Sequence, residues 1–133
     1  EAFALKMKLV PLDVPNTIEG GVDLANSFKK NHSTITGIIS LLDAATLGFM
    51  NASKSAGISI PADLSIIGVN MLESQAVSTK PAISTVAFDA YEMAKSCGKM
   101  MVEAIELGQE NKKARSELWV GDFVDRGSTF QLP

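Results

Sequence analysis

The sequence is poor in the residues that metal sites, nucleophilic catalysis and nucleic-acid binding commonly use. Its 133 residues include one cysteine, one histidine and 6% aromatic residues, and the formal net charge is −3. A single cysteine cannot form an intrachain disulfide, which favours a reducing compartment. An acidic chain without clustered basic residues has no electrostatic reason to bind nucleic acid or an anionic membrane. We therefore expect a cytoplasmic protein that does not contact membranes.

The candidate catalytic residues have no partner residues at catalytic or metal-ligand spacing in the sequence. His32, the single histidine, lies in a polar stretch with no cysteine or paired carboxylate at metal-ligand spacing. Cys97, Ser84 and Ser128 lack the glycine pattern of a nucleophile turn and have no neighbouring base. No apolar run approaches the roughly 20 residues that a membrane-spanning helix requires. We expect a protein that is not an enzyme, holds no metal and needs no cofactor.

The composition is typical of a globular domain, and the central part of the chain predicts a βαβ unit. Hydrophobic residues make up 46% of the sequence and charged residues 20%. The β-branched stretch ITGIIS (35–40) predicts a buried strand, and the alanine-rich stretch from Asp43 predicts a helix that ends at Gly57. Pro61 interrupts any further helix before LSIIGV (64–69), which predicts a second strand. Short loops then imply parallel strands and a right-handed crossover.

Further predicted elements flank this unit. VDLANSFKKN (22–31) predicts a helix, AISTVAF (82–88) an extended segment, and ELWVGDFV (117–124) a final strand kinked at its glycine. The stretch from Asp89 to Gly108 predicts an amphipathic helix. We expect its apolar stripe to be covered either by a second copy of the chain or by the chain's own lobe. The whole pattern predicts an α/β fold with an open parallel sheet.

Polar residues follow both predicted strands of the βαβ unit. Asp43 comes after the first strand and Asn70 after the second. Open α/β sheets bind ligands at the carboxyl ends of their strands, so both side chains are candidate ligand contacts. Asp43 can equally be the N-cap of the following helix, and Asn70 can equally be a loop-capping amide. Both interpretations remain open at this point.

Several motifs, in order along the chain, resemble one protein family. GISIPADLSIIGVN (57–70), KPAISTV (80–86) and DRGST (125–129) resemble the C-terminal part of the effector-binding core of LacI/GalR bacterial transcriptional regulators. GIISLLDAATLG (37–48) corresponds to a further motif upstream, so the likeness covers essentially the whole chain. It implies a three-layer open parallel sheet flanked by helices, forming one lobe of a type I periplasmic-binding-protein-like fold.

The resemblance also implies how the chain is divided. Residues 1–133 would form the C-terminal lobe of the effector-binding domain, and residues from about 87 to 112 would belong to the N-terminal lobe. The intact protein would bind operator DNA only through an N-terminal helix-turn-helix module that this sequence does not contain. The alternative is a lobe of a periplasmic sugar-binding transport receptor with the same architecture.

Carried over residue by residue, the effector site would comprise Asn16, Leu42, Asp43, Asn70 and Phe88. Leu42 stands where the family has asparagine, and Asn70 stands where it has aspartate. Leucine cannot hydrogen-bond a hydroxyl group, and a pocket with fewer polar groups discriminates less strongly in favour of hydroxylated ligands. The implied effector is a sugar or a less polar analogue, unless the pocket has lost its ligand.

The resemblance implies a homodimer as well. Family members pair their core lobes about a two-fold axis. In this sequence Phe49, Met50 and Leu72 are the large apolar residues at the corresponding positions. We therefore expect these side chains to lie in a dimer interface.

Overall fold

The computed structural model describes residues 8–106 and 115–130, which form an open α/β sheet with helices packed against it. In chain order, the helices are α1 (Ile18–Asn31), α2 (Asp43–Ser53), α3 (Glu73–Ala76) and α4 (Ala90–Glu106). The strands are β1 (Gly37–Ser40), β2 (Ser65–Val69), β3 (Ser84–Ala87) and β4 (Asp122–Val124). The predicted α/β class is confirmed. The predicted helix end at Gly108 lies outside the described residues.

The strands are ordered β1-β2-β3-β4 within one sheet. β1 is parallel to β2 and β2 is parallel to β3, so the predicted βαβ unit is confirmed. β4 runs antiparallel to β3 and places Asp122 opposite Ala87. The ends of the parallel strands at Ser40, Val69 and Ala87 therefore lie on the same side of the sheet as the start of β4. We call this side the carboxyl edge.

Helices α1 and α2 pack against each other on one face of the sheet. Phe28 and Phe49 meet edge to face, with ring centroids 5.4 Å apart. They share one core cluster with Leu64 and Ile66, which are each 1% exposed. Fully burying one such side chain contributes about 1.5–3 kcal/mol, so this cluster is a main source of the lobe's stability.

The same two helices touch through their backbones. A Cβ atom at Gly21 would lie 1.9 Å from the carbonyl oxygen of Ala45, and one at Gly48 would lie 2.0 Å from that of Ile18. No side chain fits at either position, so the close crossing requires glycine at both. The contact brings the loop that holds Asn16, just before α1, to the side where α2 begins.

α2 ends at Ser53, four residues before the predicted end at Gly57, and Gly57 instead closes the turn that follows the helix. Gly57 adopts a positive φ of 74°. Its N–H donates to the carbonyl of Lys54 at 3.1 Å, and the N–H of Ile58 donates to the carbonyl of Ser53 at 2.8 Å. This pair of bonds is the Schellman motif, with glycine at the left-handed position. Gly57 therefore directs the chain out of this turn and toward β2.

Helix α4 projects from the lobe. None of its residues is buried, and Met101 and Ile105 are 66% and 73% exposed. Its polar side contacts the returning segment through an ion pair between Glu103 and Arg115. The expectation that its apolar stripe folds back onto the lobe is wrong, because the described part of the lobe covers none of these side chains. Among the described helices, none is both long enough and apolar enough to cross a membrane.

Candidate ligand-binding site

The residues predicted to contact an effector lie along the carboxyl edge. Leu42 and Asp43 follow β1, Asn70 follows β2 and Phe88 follows β3. Because neighbouring parallel strands end on the same side of a sheet, these residues share one side of the lobe. Asn16 is exposed in the loop before α1, and the crossing of α1 and α2 brings that loop to the same side.

A ring of hydrogen bonds shapes the turn after β1. Thr46 Oγ1 lies 2.6 Å from Ser40 Oγ and 2.7 Å from the carbonyl oxygen of Leu42. The N–H of Leu42 lies 3.3 Å from Ser40 Oγ. Each hydroxyl has one proton, so all three contacts are satisfied when Leu42 donates to Ser40, Ser40 to Thr46 and Thr46 to Leu42. The ring fixes Leu42 in place and leaves neither hydroxyl with a proton for a ligand.

The interpretation of Asp43 as a helix cap is wrong. The N-cap of α2 is Leu42, which makes no side-chain cap bond, and Asp43 is the first residue of the helix. An acidic residue in the first turn still stabilises the helix through its dipole. The half-buried carboxylate makes no side-chain hydrogen bond within the described part of the chain, so its oxygens can accept hydrogen bonds from a ligand.

Asn70 lies in a turn whose position is fixed by a backbone hydrogen bond to β3 and by the buried residue that follows it. Its φ of 56° lies in the left-handed region, which asparagine tolerates better than most residues. Its backbone N–H donates to the carbonyl of Val86 at 2.8 Å, and the next residue, Met71, is 6% exposed in the core. The exposed side-chain amide can both donate and accept hydrogen bonds at the carboxyl edge.

The structure adds groups that the sequence interpretation missed. Asp122 is exposed and lies opposite Ala87, directly beside the chain position of half-buried Phe88. Its place at the carboxyl edge depends on the antiparallel pairing of β3 and β4, for which no local sequence signal exists. Ser40 and Thr46 could have been noticed as hydroxyl residues flanking the leucine pair at the end of β1. The edge thus combines apolar walls with carboxylate and amide groups.

Of the three residues predicted to lie in a dimer interface, two are buried in the core of the lobe and one is exposed at its surface. Phe49 and Met50 are 3% and 7% exposed, and both belong to the lobe's own core cluster. The prediction that they are available at the surface is wrong, because α1 and the sheet already cover that face of α2. Leu72 is 65% exposed just after β2, and its part in an interface stays a prediction.

The DRGST motif near the C-terminus joins the returning segment to the sheet. Ser128 Oγ accepts the N–H of Ser84 at 2.7 Å and donates to the carbonyl of Ile66 at 2.6 Å. The carboxylate of Asp125 accepts the N–H of Gly127 at 3.0 Å and the hydroxyl of Ser84 at 2.9 Å. The Gly127 N–H and then the Ser84 hydroxyl lower the pKa of Asp125 below its ordinary value of 3.8. The DRGST motif therefore attaches the C-terminal segment to β2 and β3 through these hydrogen bonds.

A shallow cavity of about 310 Å³ lies at the opposite side of the sheet from the carboxyl edge. Its lining comes from the end of α1, the segment after α2 and the residues before β1 and β2. The lining residues are Phe28, Lys29, Ser33, Ile35, Ile58, Asp63 and Leu64. Its apolar lining includes the buried core residues Phe28, Ile58 and Leu64, and none of its lining residues lies at the carboxyl edge.

Comparison with known proteins finds one matching domain family and two related transcriptional regulators. Residues 4–129 match the periplasmic binding protein-like domain. An uncharacterised HTH-type transcriptional regulator in the aml 5′ region of Streptomyces limosus is 30% identical over 116 residues, which cover 86% of this chain and 31% of that protein. The HTH-type transcriptional regulator MalR of Clostridium butyricum is 28% identical over 107 residues, which cover 80% of this chain and 31% of that protein.

A solved structure shows the same architecture. The crystal structure of a LacI family transcriptional regulator from Enterococcus faecium with bound ribose superposes with a TM-score of 0.73 at 25% identity. The superposition covers 92% of this chain and 44% of that one. The chain therefore spans about a third of the length of the curated relatives and less than half of this solved structure.

Proposed function

The chain belongs to the periplasmic-binding-protein-like domain family, in the form found in LacI-type regulators, and we propose that it is the effector-binding lobe of a bacterial transcriptional regulator. The observation that carries this proposal is the carboxyl edge, where Leu42, Asp43, Asn70 and Phe88 follow three adjacent parallel strands. Open α/β sheets bind small ligands at this edge. The lobe acts by binding, and the proposal assigns it no catalysis.

The effector class follows from the side chains at this edge. Leu42 and Phe88 supply apolar surface, while Asp43, Asn70 and Asn16 supply hydrogen-bonding groups. A sugar ring has apolar C–H faces and hydroxyl groups around its rim, which matches such a mixed lining. The bound ribose of the Enterococcus faecium regulator supports this chemical class. We propose a small hydroxylated effector with one apolar face against Leu42.

The remaining parts of the proposal concern the intact protein. The unburied apolar stripe of α4 supports its assignment, with residues from about 87 to 112, to the second lobe of the effector-binding domain. A helix-turn-helix module outside this chain would bind the operator in the cytoplasm. Such regulators act as homodimers, and exposed Leu72 remains the candidate interface residue in this lobe.

The test is a titration of the isotope-labelled chain with D-ribose and with lactose, followed by amide chemical shifts. A single lobe holds half of the proposed site, so we expect affinity in the millimolar range. Shift changes should centre on Asp43, Asn70 and Phe88. Asn70→Ala should weaken binding severalfold, whereas Asn51→Ala, at an exposed position farther along α2, should leave it unchanged.

The opposite pattern would contradict the proposal. Shift changes confined to the cavity around Ile58, or unchanged binding after Asn70→Ala, would remove the carboxyl edge from the effector site. No binding by either sugar, with both variants folded, would contradict the proposed ligand class.

A further inference from the structure

The carboxyl edge carries charges of one sign. It includes residues 40–43, 69–73 and 87–89 at the ends of the parallel strands and residues 121–122 at the start of β4. These four stretches contain no lysine, arginine or histidine. Their charged side chains are Asp43, Glu73, Asp89 and Asp122. Each strand therefore brings one carboxylate to the edge.

The three longer helices, α1, α2 and α4, also begin at this edge with acidic residues. α2 follows β1 and α4 follows β3. α1 begins beside α2, because a Cβ atom at Gly21 would lie only 1.9 Å from the carbonyl oxygen of Ala45. The acidic residues in their first turns are Glu19 in α1, Asp43 in α2 and Glu92 in α4. Each of these helix N-termini therefore has a carboxylate of its own.

Helix N-termini ordinarily attract anions. Their first N–H groups have no partner within the helix, and the helix dipole adds partial positive charge. In α1 the N–H of Gly20 donates to Thr17 Oγ1 at 3.0 Å, and in α4 the N–H of Glu92 donates to Asp89 Oδ1 at 2.9 Å. Asp43 places its negative charge at the start of α2. The chain's own side chains therefore compensate the positive ends that would otherwise attract a phosphate.

The basic side chains of the packed helices and of the DRGST motif do not offset these carboxylates. Those of α1 and of the residue after α2 lie at the far ends of the helices: Lys29, Lys30 and Lys54. Arg126 lies closer, but its guanidinium is 2.7 Å from Thr85 Oγ1 and 4.0 Å from the Glu73 carboxylate. Its side chain is 15% exposed, so it is held within the lobe and offers a ligand little contact.

We propose that the effector carries no negative charge, so that the carboxyl edge accepts a neutral sugar and rejects its phosphorylated derivative. This inference rests on the proposed effector site and specifies which sugars that site takes. The carboxylates of Asp43 and Asp122 accept hydrogen bonds from sugar hydroxyl groups, whereas a phosphate offers them mainly negative charge at neutral pH. The same two side chains therefore bind hydroxyl groups and exclude anions.

The first test compares D-ribose with D-ribose 5-phosphate by amide chemical shifts. At an ionic strength of about 0.1 M the screening length is about 10 Å, so only charges near the ligand contribute. We expect the phosphate ester to bind at least about fivefold more weakly, and the difference to shrink near 1 M salt. Asp43→Asn should reduce the difference at low salt. Asp63→Asn, an exposed aspartate on the opposite side of the sheet, should leave it unchanged.

The second test uses inorganic phosphate and needs no sugar. In the wild type we expect no saturable shift changes at the amides of residues 43–45, the first turn of α2. In Asp43→Asn the start of α2 loses its carboxylate, so phosphate should produce shift changes at these amides. Circular dichroism of both proteins would show that the variant keeps the helix content of the wild type.

The results separate this inference from the proposed function. D-ribose binding that depends on Asn70, together with equal or tighter binding of the phosphate ester, would overturn the inference and leave the effector site in place. Saturable phosphate binding at residues 43–45 of the wild type, or none in Asp43→Asn, would also overturn it. Absence of binding by both sugars would contradict the proposed function, and the phosphate titration would still decide the charge preference.

Discussion

Replacing Ser128 with alanine removes one hydroxyl from the point where the C-terminal segment joins the sheet. That hydroxyl accepts the N–H of Ser84 and donates to the carbonyl of Ile66, at 2.7 and 2.6 Å. Ser84 and Ser128 are 0% exposed and Ile66 is 1% exposed. Alanine offers neither a donor nor an acceptor, so one buried N–H and one buried carbonyl lose their side-chain partner.

The expected loss follows from the number of groups left without that partner. Each unsatisfied buried polar group costs about 1–3 kcal/mol, and partial relaxation reduces the sum for two groups to about 2–4 kcal/mol. The total unfolding free energy of a domain this size is about 5–15 kcal/mol. One kcal/mol shifts the midpoint by roughly 3–6 °C at this chain length, so Ser128→Ala should lower Tm by roughly 6–24 °C.

The measurement is urea and thermal unfolding of both proteins, followed by far-ultraviolet circular dichroism. Ser78→Ala is the matched control, because Ser78 is exposed and its hydroxyl, among the described residues, bonds only the nearby carbonyl of Gln75. Its unfolding free energy should stay within about 0.5 kcal/mol of wild type. If the unfolding free energy of Ser128→Ala is also within about 0.5 kcal/mol of wild type, the two backbone groups find other hydrogen-bond partners. The hydroxyl of Ser128 would then not be needed to attach the C-terminal segment to the sheet.

In a protein with both lobes, Leu42→Asn should raise affinity for hydroxylated ligands about tenfold in calorimetry, since it adds one hydrogen-bonding group. An unchanged preference across a sugar panel would exclude Leu42 from the site. The lowered pKa of Asp125 stabilises the fold above about pH 4, and this contribution disappears as pH falls through the folded-state pKa. Asp125→Asn should therefore flatten acid destabilisation in urea titrations; an unaltered pH profile would count against it. The chain, with net charge −3, should show no sequence-selective DNA binding in fluorescence anisotropy, and saturable selective binding would refute this.

Local signals were sufficient to predict the βαβ unit, although not the exact ends of its elements. A β-branched apolar stretch favours a strand, and Gly57 adopts the left-handed conformation that closes the turn after α2. These preferences act through backbone sterics and hydrogen bonding within a few residues, so they can be recognised without knowing the fold. The positions of Asp43 and Asn70 at strand ends followed from the same pattern, whereas Leu42 and Phe88 were implied by the family resemblance.

Predictions about which side chains are covered failed where they depended on distant partners. Phe49 and Met50 are apolar residues of a short helix with apolar residues on several sides, and its sequence does not indicate which face α1 will cover. Whether Asp43 caps α2 was left open by the sequence, and the structure makes it the first residue of the helix, with Leu42 as the N-cap. In both cases the outcome depended on packing geometry instead of residue type.

The sequence by itself determined the order of helices and strands, because turn residues and apolar periodicity act locally. Only the tertiary structure decided that α1 and α2 cross through Gly21 and Gly48, and that β4 brings Asp122 to the carboxyl edge. It alone also decided the order of the strands within the sheet. The physical reason is that burial and strand pairing depend on which surfaces meet in space, and residues far apart in the chain supply those surfaces.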